Sequence, residues 1–319
     1  MTDSQKKRPY LQYGLTVAVL VGLVVAAARY LNGAEVLNAL KSFNYALMPL
    51  MLLLSTGDLL LKAWRFVLLL RPVSAVRPGI AFRAYLAGQA VTLLPGGVAG
   101  RAGLMKQAGV PVAKSGGPVL FSSVLDQSVF IGGSLLAALW FEAARGAAIV
   151  LLGVVAGVAL VVLMPATRRQ IVTATAWIAG KLNVAEQWQD FLETLPAVTA
   201  PRLMISTLVL TVIAFALNIV IFDFSLRGLG ETLPYPMLFL AFFLPTMFGR
   251  IFPLPGGIGV TEASMVGFLA STSPIDVDTA AAAVAIFRIV VVPYSAGLGA
   301  LVYFFAWRGE REAAASPAP

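Results

Sequence analysis

Asp58, Lys62 and Arg65 stand at i, i+4 and i+7 in "GDLLLKAWRF", inside a long apolar stretch. That spacing places all three on one face of a helix, and the first two are close enough to pair. Asp126 in "SSVLDQSVF" and Arg288 in "AIFRIVVVP" each sit near the centre of another apolar stretch. Arg101, Arg250 and Glu262 flank two glycine-rich breaks. A charge at mid-bilayer costs about 2.5–3.5 kcal/mol on insertion scales, so each of these residues is read first as functional. The chemistry they offer is recognition. The cations suit a phosphate or carboxylate oxygen, and the acids suit a cation or a proton.

Blander readings stand beside these. Asp58 and Lys62 also read as an internal pair, and Arg65 as snorkelling to the cytoplasmic surface. Asp126 and Arg288 either line or brace a central cavity, or form a buried pair that fixes helix register. Thr261 reads as the N-cap of a half-helix carrying Glu262, an end that favours an anionic oxygen. Glu262 itself either satisfies that helix or accepts a cation or proton. Lys62, Arg65, Arg101, Arg250 and Arg288 outnumber Asp58, Asp126 and Glu262. The balance suits an anionic group such as a lipid phosphate.

Other chemistries are closed. The chain has no cysteine and no histidine, which removes disulfides, thiol nucleophiles, the usual zinc sites and a histidine base. No metal, cofactor or catalytic residue is expected. "LPGGVAG" lacks the Gly-Lys-Ser/Thr ending of a phosphate-binding loop. A net charge of +8 would suggest nucleic acid in a soluble protein. Here the basic residues flank apolar segments and set membrane orientation instead.

The elements that position these charges are transmembrane helices. The chain is 59% hydrophobic and only 12% charged, against about a quarter charged in a soluble domain. About 20 apolar residues are needed to cross the hydrocarbon. Six stretches qualify: 10–30, 45–70, 117–141, 146–164, 203–226 and 277–305. The first exceeds the usual 7–15-residue core of a signal peptide and is expected to be a retained anchor. Two more apolar stretches, 80–94 and 236–253, run into "LLPGGVAGRAG" and "PLPGGIGVTEA" and are followed by short apolar returns at 102–110 and 262–271. Pro95, Gly96, Gly97, Pro255, Gly256, Gly257 and Gly259 form the breaks. Non-helical backbone at membrane depth must be buried in protein or face water, so these segments are expected to be re-entrant hairpins inside the bundle.

The two LPGG sequences are 160 residues apart, and the same shift carries 45–70 onto 205–230 and 117–141 onto 277–301. Four identical residues carry little alone; the matching order of elements carries more. The expected fold is an all-α, polytopic helical bundle forming a single membrane domain over 1–319. It has six spans and two hairpins in an inverted repeat, with repeat one about 10–141 and repeat two about 146–305. Residues 165–202 form a cytoplasmic linker, read equally as a surface-lying amphipathic segment or a solvated one, and 306–319 a disordered tail. With the N-terminus inside, fifteen Lys and Arg residues fall in the cytoplasm and five outside. That bias places both termini in the cytoplasm of a bacterial-type inner membrane. Inverted repeats with broken helices are the mark of alternating-access transporters.

"LKAWRFVLLL", "LLPGGVAGRAGLMKQAGVPVAKS" with "SVLDQ" after it, and "FPLPGGIGVTEASMVGFLASTSP" with "AAVAIFRIV" resemble the lysylphosphatidylglycerol synthase transmembrane-region family, over roughly 10–305. The family pattern has an acid and an arginine after the first turn. Here Gly100, Arg101 and Lys106 occupy that region without an acid, while Glu262 and Arg288 match the second half. The resemblance implies a flippase-like membrane protein. The soluble domain that transfers lysine in fused members is not expected here. The leading expectation is therefore a non-enzymatic translocator of a phospholipid or other anionic lipid headgroup. The alternatives are a secondary transporter of a small anionic solute and an accessory subunit of a lipid-modifying or lipid-glycosylating complex. A homo-oligomer is left open.

Overall fold

In a computed structural model, the structure describes residues 32–91, 103–110, 112–140, 185–251 and 259–307, with isolated residues 145–146, 149–150, 152–154, 156–157, 164, 170, 173 and 175–177. The expected first span, most of 146–164 and both LPGG turns lie outside these residues. Every element among the described residues is helical. They are α1 (Gly33–Ser42), α2 (Met48–Leu70), α3 (Pro78–Ala87), α4 (Val112–Ala138), α5 (Ala185–Val198), α6 (Pro201–Arg227), α7 (Tyr235–Ile251), α8 (Val260–Thr272), α9 (Val277–Val291) and α10 (Pro293–Ala306).

Among the described residues, four stretches are long and apolar enough to cross a membrane: Tyr45–Leu70, Ser115–Ala138, Pro201–Arg227 and Val277–Ala306. They coincide with four of the expected spans. Side chains such as Leu53, Ile205, Phe304 and Phe305 stand exposed on them, a pattern that suits lipid rather than water. Pro at the first turn starts α2, α3, α6 and α10, where the missing N–H is no loss. Asp276 caps α9 by accepting from the Asp278 and Thr279 amides.

The last span was expected to be one helix. It is two, α9 and α10, because Pro293 cannot donate to the helical ladder, which kinks or breaks a helix there. The expected linker contains α5, which packs against α4.

Tertiary contacts sort the helix ends. The Asn32 amide donates to Asp278, and the Asn44 amide donates to the Gly228 carbonyl. At the opposite end, Trp307 Nε1 donates to Gln107. α7 therefore leaves, and α8 returns to, the end held by the Asn32–Asn44 segment, and the two pack on each other. At 17 and 13 residues, they are about 26 and 20 Å long at 1.5 Å per residue, shorter than the hydrocarbon thickness.

Packing divides into two clusters. One joins Met51 to α6, α7, α8 and α9 through Phe222, Phe242, Met265 and Phe287. The other joins α2 and α3 to Met105 and Ala108 through Ala63, Phe66 and Ala84. Lipid removes most of the hydrophobic drive between spans, so close packing and polar contacts must fix how they fit. α2 and α6, the helices related by the 160-residue shift, lie against each other along their length.

Candidate functional site

The polar contacts converge on the inward stripe of α2. Lys62 Nζ donates to Asp58 Oδ2 at 2.8 Å, the pair expected from their spacing. The other Asp58 oxygen accepts from Asn218 Nδ2 on α6, also at 2.8 Å. Both carboxylate oxygens are thus satisfied in a residue that is fully buried. Lys62 Nζ lies 5.7 Å from the centre of the Phe215 ring, a cation–π contact. Asn218 was not singled out from sequence. It stands 160 residues from Asp58, so the repeat shift applied to Asp58 would have found it.

Arg65 overturns its expectation. It does not snorkel to the surface; it is 1% exposed. Its NH1 donates to Asp126 Oδ1 and to Thr211 Oγ1, both at 2.6 Å, and its NH2 donates to Ser122 Oγ at 2.7 Å. One guanidinium therefore joins α2, α4 and α6. Thr211 accepts from Arg65 while its own hydroxyl donates to the Thr207 carbonyl. The physical reason is that Arg65 shares the face of Asp58 and Lys62, and a carboxylate on a neighbouring helix waits there. Arg65 Nε is buried with no hydrogen-bond partner among the described residues.

Asp126 and Arg288 are not partners. Asp126 takes Arg65, and Arg288 Nε donates to Glu262 Oε1. The repeat equivalent of Asp126 is residue 286, not 288. Two residues turn a helix by about 200°, so Arg288 faces elsewhere. Thr261 is not the N-cap. Gly259 holds that position at φ +90°, and its amide donates to Glu262 Oε2 at 2.6 Å. Glu262 thus closes its own helix start and holds Arg288 with its other oxygen. Thr261 is buried instead against Gly249, where a Cβ would sit 1.8 Å from Thr261 Oγ1. α7 and α8 approach so closely there because Gly249 has no side chain.

Arg101, the LPGG residues Pro95, Gly96, Gly97, Pro255, Gly256 and Gly257, and the side chain of Arg250 lie outside the described residues. Among the described residues, Lys62, Arg65 and Arg288 each hold one carboxylate. The excess of cations counted from sequence therefore rests on Arg101 and Arg250. No group of acidic side chains suited to a metal ion occurs among the described residues.

The sequence model of the family described as "Lysylphosphatidylglycerol synthase TM region" matches residues 13–298. The chain belongs to the lysylphosphatidylglycerol synthase transmembrane-region family. It is an integral membrane protein of a family linked to lipid handling. A comparison with curated proteins finds no match. The family match spans Asp58, Lys62, Arg65, Asp126, Asn218, Glu262 and Arg288, so these three ion pairs fall within it.

Beside the charged cluster of this family member lies an apolar groove of about 630 Å³ between α4, α6 and α7. Val129, Gly133, Val212, Phe239 and Phe243 line it, with the Phe243 ring packed on Gly133, and Trp140 just past the end of α4 and Tyr235 at the start of α7 line it as well. Phe243 stacks edge-on against Phe130, whose ring centre is 4.4 Å from that of Phe215. Phe215 in turn carries Lys62. A run of three phenylalanine rings, Phe243, Phe130 and Phe215, therefore connects the groove to Lys62 of the Asp58–Lys62 pair.

Proposed function

We propose that the protein moves a phospholipid headgroup across the bilayer without chemically altering it. The observation that carries this reading is the apolar groove connected through three phenylalanine rings to a buried cluster of ion pairs. Acyl chains need an apolar groove and a headgroup needs charged partners. A small solute needs only the second. Trp and Tyr, here Trp140 and Tyr235, favour the headgroup level of a membrane.

The route runs between two inverted halves. Contacts between equivalent positions support this arrangement. Asp58 meets Asn218, 160 residues on. Ser55 donates to the Val290 carbonyl, and the shifted positions 215 and 130 meet as the Phe215–Phe130 ring pair. The halves enclose hairpins at the LPGG sequences, with both chain termini cytoplasmic. Headgroup phosphate meets Arg288, which releases Glu262, and Arg250.

The test is reconstitution into vesicles carrying fluorescent phospholipids of differing headgroup, with the label on the outer leaflet quenched chemically. Protein-dependent loss of the protected half of the signal is expected. Arg288→Lys should slow it, since a point charge does not reproduce the guanidinium fork. No protein-dependent change with any headgroup, alongside uptake of a small anion, would replace this reading with solute transport.

A further inference from the structure

Resting on that reading, we infer that Arg65 is a second phosphate station of the route, besides Arg288, and that Asp126 is a built-in stand-in for the ligand's oxyanion. Four observations point there. The first is that the cation is fixed while its anion is not. Arg65 is held by hydroxyls on two neighbouring helices, and its side chain is 2% exposed; that of Asp126 is 20% exposed. The second is unused donor capacity. Arg65 Nε is buried with no hydrogen-bond partner among the described residues. Ser122 accepts from Arg65, so its own hydroxyl hydrogen is available to an incoming oxygen. Lys62, nearly one turn away on α2, is also partly exposed, at 22%.

The third observation is that the node exists once. The equivalents of Arg65, Ser122 and Asp126 under the 160-residue shift are Ser225, Ala282 and Ile286. A contact needed only to pack the helices of one half together would be expected in both halves. The fourth is access. Asp126, Val129, Gly133 and Ala137 follow the helical i, i+3, i+7 and i+11 spacing on α4, and the last three line the apolar groove. The stripe that seats the groove therefore runs to Asp126.

In this site a phosphate oxygen takes the place of the Asp126 carboxylate on Arg65 and accepts further bonds from Ser122 and Lys62. No covalent step is involved. Two sources share this chemistry, a lipid phosphodiester and free phosphate, and the experiment separates them.

Equilibrium binding to the full-length protein in detergent would be measured with dihexanoyl phosphatidylglycerol, inorganic phosphate and uncharged dihexanoylglycerol. Asp126→Asn removes the competing charge, so it should bind dihexanoyl phosphatidylglycerol at least tenfold tighter than the unaltered chain. Arg65→Gln should not bind it, and dihexanoylglycerol should bind to none. Tightening confined to the phosphatidylglycerol probe assigns the site to a headgroup; equal tightening for inorganic phosphate upholds the oxyanion site and assigns it to free phosphate. Unchanged or weaker binding by folded Asp126→Asn would overturn the stand-in. Should the single variants not fold, the paired Arg65→Met, Asp126→Leu chain serves, because apolar replacement of a whole buried pair is often tolerated. Its binding phosphatidylglycerol as the unaltered chain does would equally overturn the proposal. These measurements do not need translocation. A chain that binds as expected yet moves no lipid in vesicles would refute the transport reading and leave this site standing.

Discussion

Arg65 and Arg288 are both arginines set deep in an apolar span, yet the structure uses them differently. Arg65 is buried and ties three spans that are distant in sequence, with partners 57, 61 and 146 residues away. Arg288 joins α9 to its near neighbour α8, 26 residues away, and both members of that pair are partly exposed. One is a long-range tie across the bundle, the other a local brace at a helix start. An intramembrane charge is thus not one kind of feature. What it joins decides what its loss does.

The comparison can be broken most sharply at Arg65. Arg65→Leu leaves Asp126 unpaired, and removing one partner of a buried pair costs about 3–5 kcal/mol. Thermal unfolding in detergent should show a large loss. The same change at Arg288 should cost about 0–1 kcal/mol, as for a more exposed pair. Equal losses at both positions would erase the distinction.

Asn218→Leu comes next. It strips the second hydrogen bond from Asp58, and an unsatisfied buried acceptor costs about 1–3 kcal/mol. Denaturation of the variant should fall between the two arginine variants. Glu262→Gln should cost less than Glu262→Ala, because glutamine still closes the helix start; a lost cap costs about 1 kcal/mol. If the two variants unfold alike, the bond to Gly259 contributes nothing.

The smallest effect lies at the membrane edge. Asp276 caps α9, and the hydrogen bond from the Thr279 side chain, helped by backbone amides, holds its carboxyl below the usual range. A carboxyl that titrates lower when folded stabilises fully above the ordinary carboxylate range, and that contribution is lost as pH falls through its lowered value. Asp276→Asn keeps the cap, since asparagine caps as well. It should flatten the acid limb of stability while barely moving it near neutral pH. An unchanged acid limb would show that Asp276 does not set it.

Much of the scaffold was legible because apolar length is a strong signal. Tyr45–Leu70 and Pro201–Arg227 fall where the sequence places them. The Asp58–Lys62 pair was legible because both residues share one helix. Arg65 was misread because its depth depends on Asp126, Ser122 and Thr211 from two other helices, which local spacing does not reveal. The N-cap was misplaced from Gly259 to Thr261 because a side chain suited to capping outweighed a glycine whose backbone conformation could not be seen. Pro293 was visible, but a span long enough to cross was read through it.

The bond between Asp58 and Asn218 has a further consequence. Under the proposed exchange of conformations between two inverted repeats, a contact between equivalent positions maps onto itself. It does not have to break for the exchange to occur. In that proposal the Arg65–Asp126 tie maps onto Ser225 and Ile286, which cannot form an ion pair, so nothing in the exchange requires it to persist. In mechanical terms, under that proposal Asp58–Asn218 is the fulcrum and Arg65–Asp126 the catch: the first would carry the load through the whole stroke, and the second would set which way the lever rests.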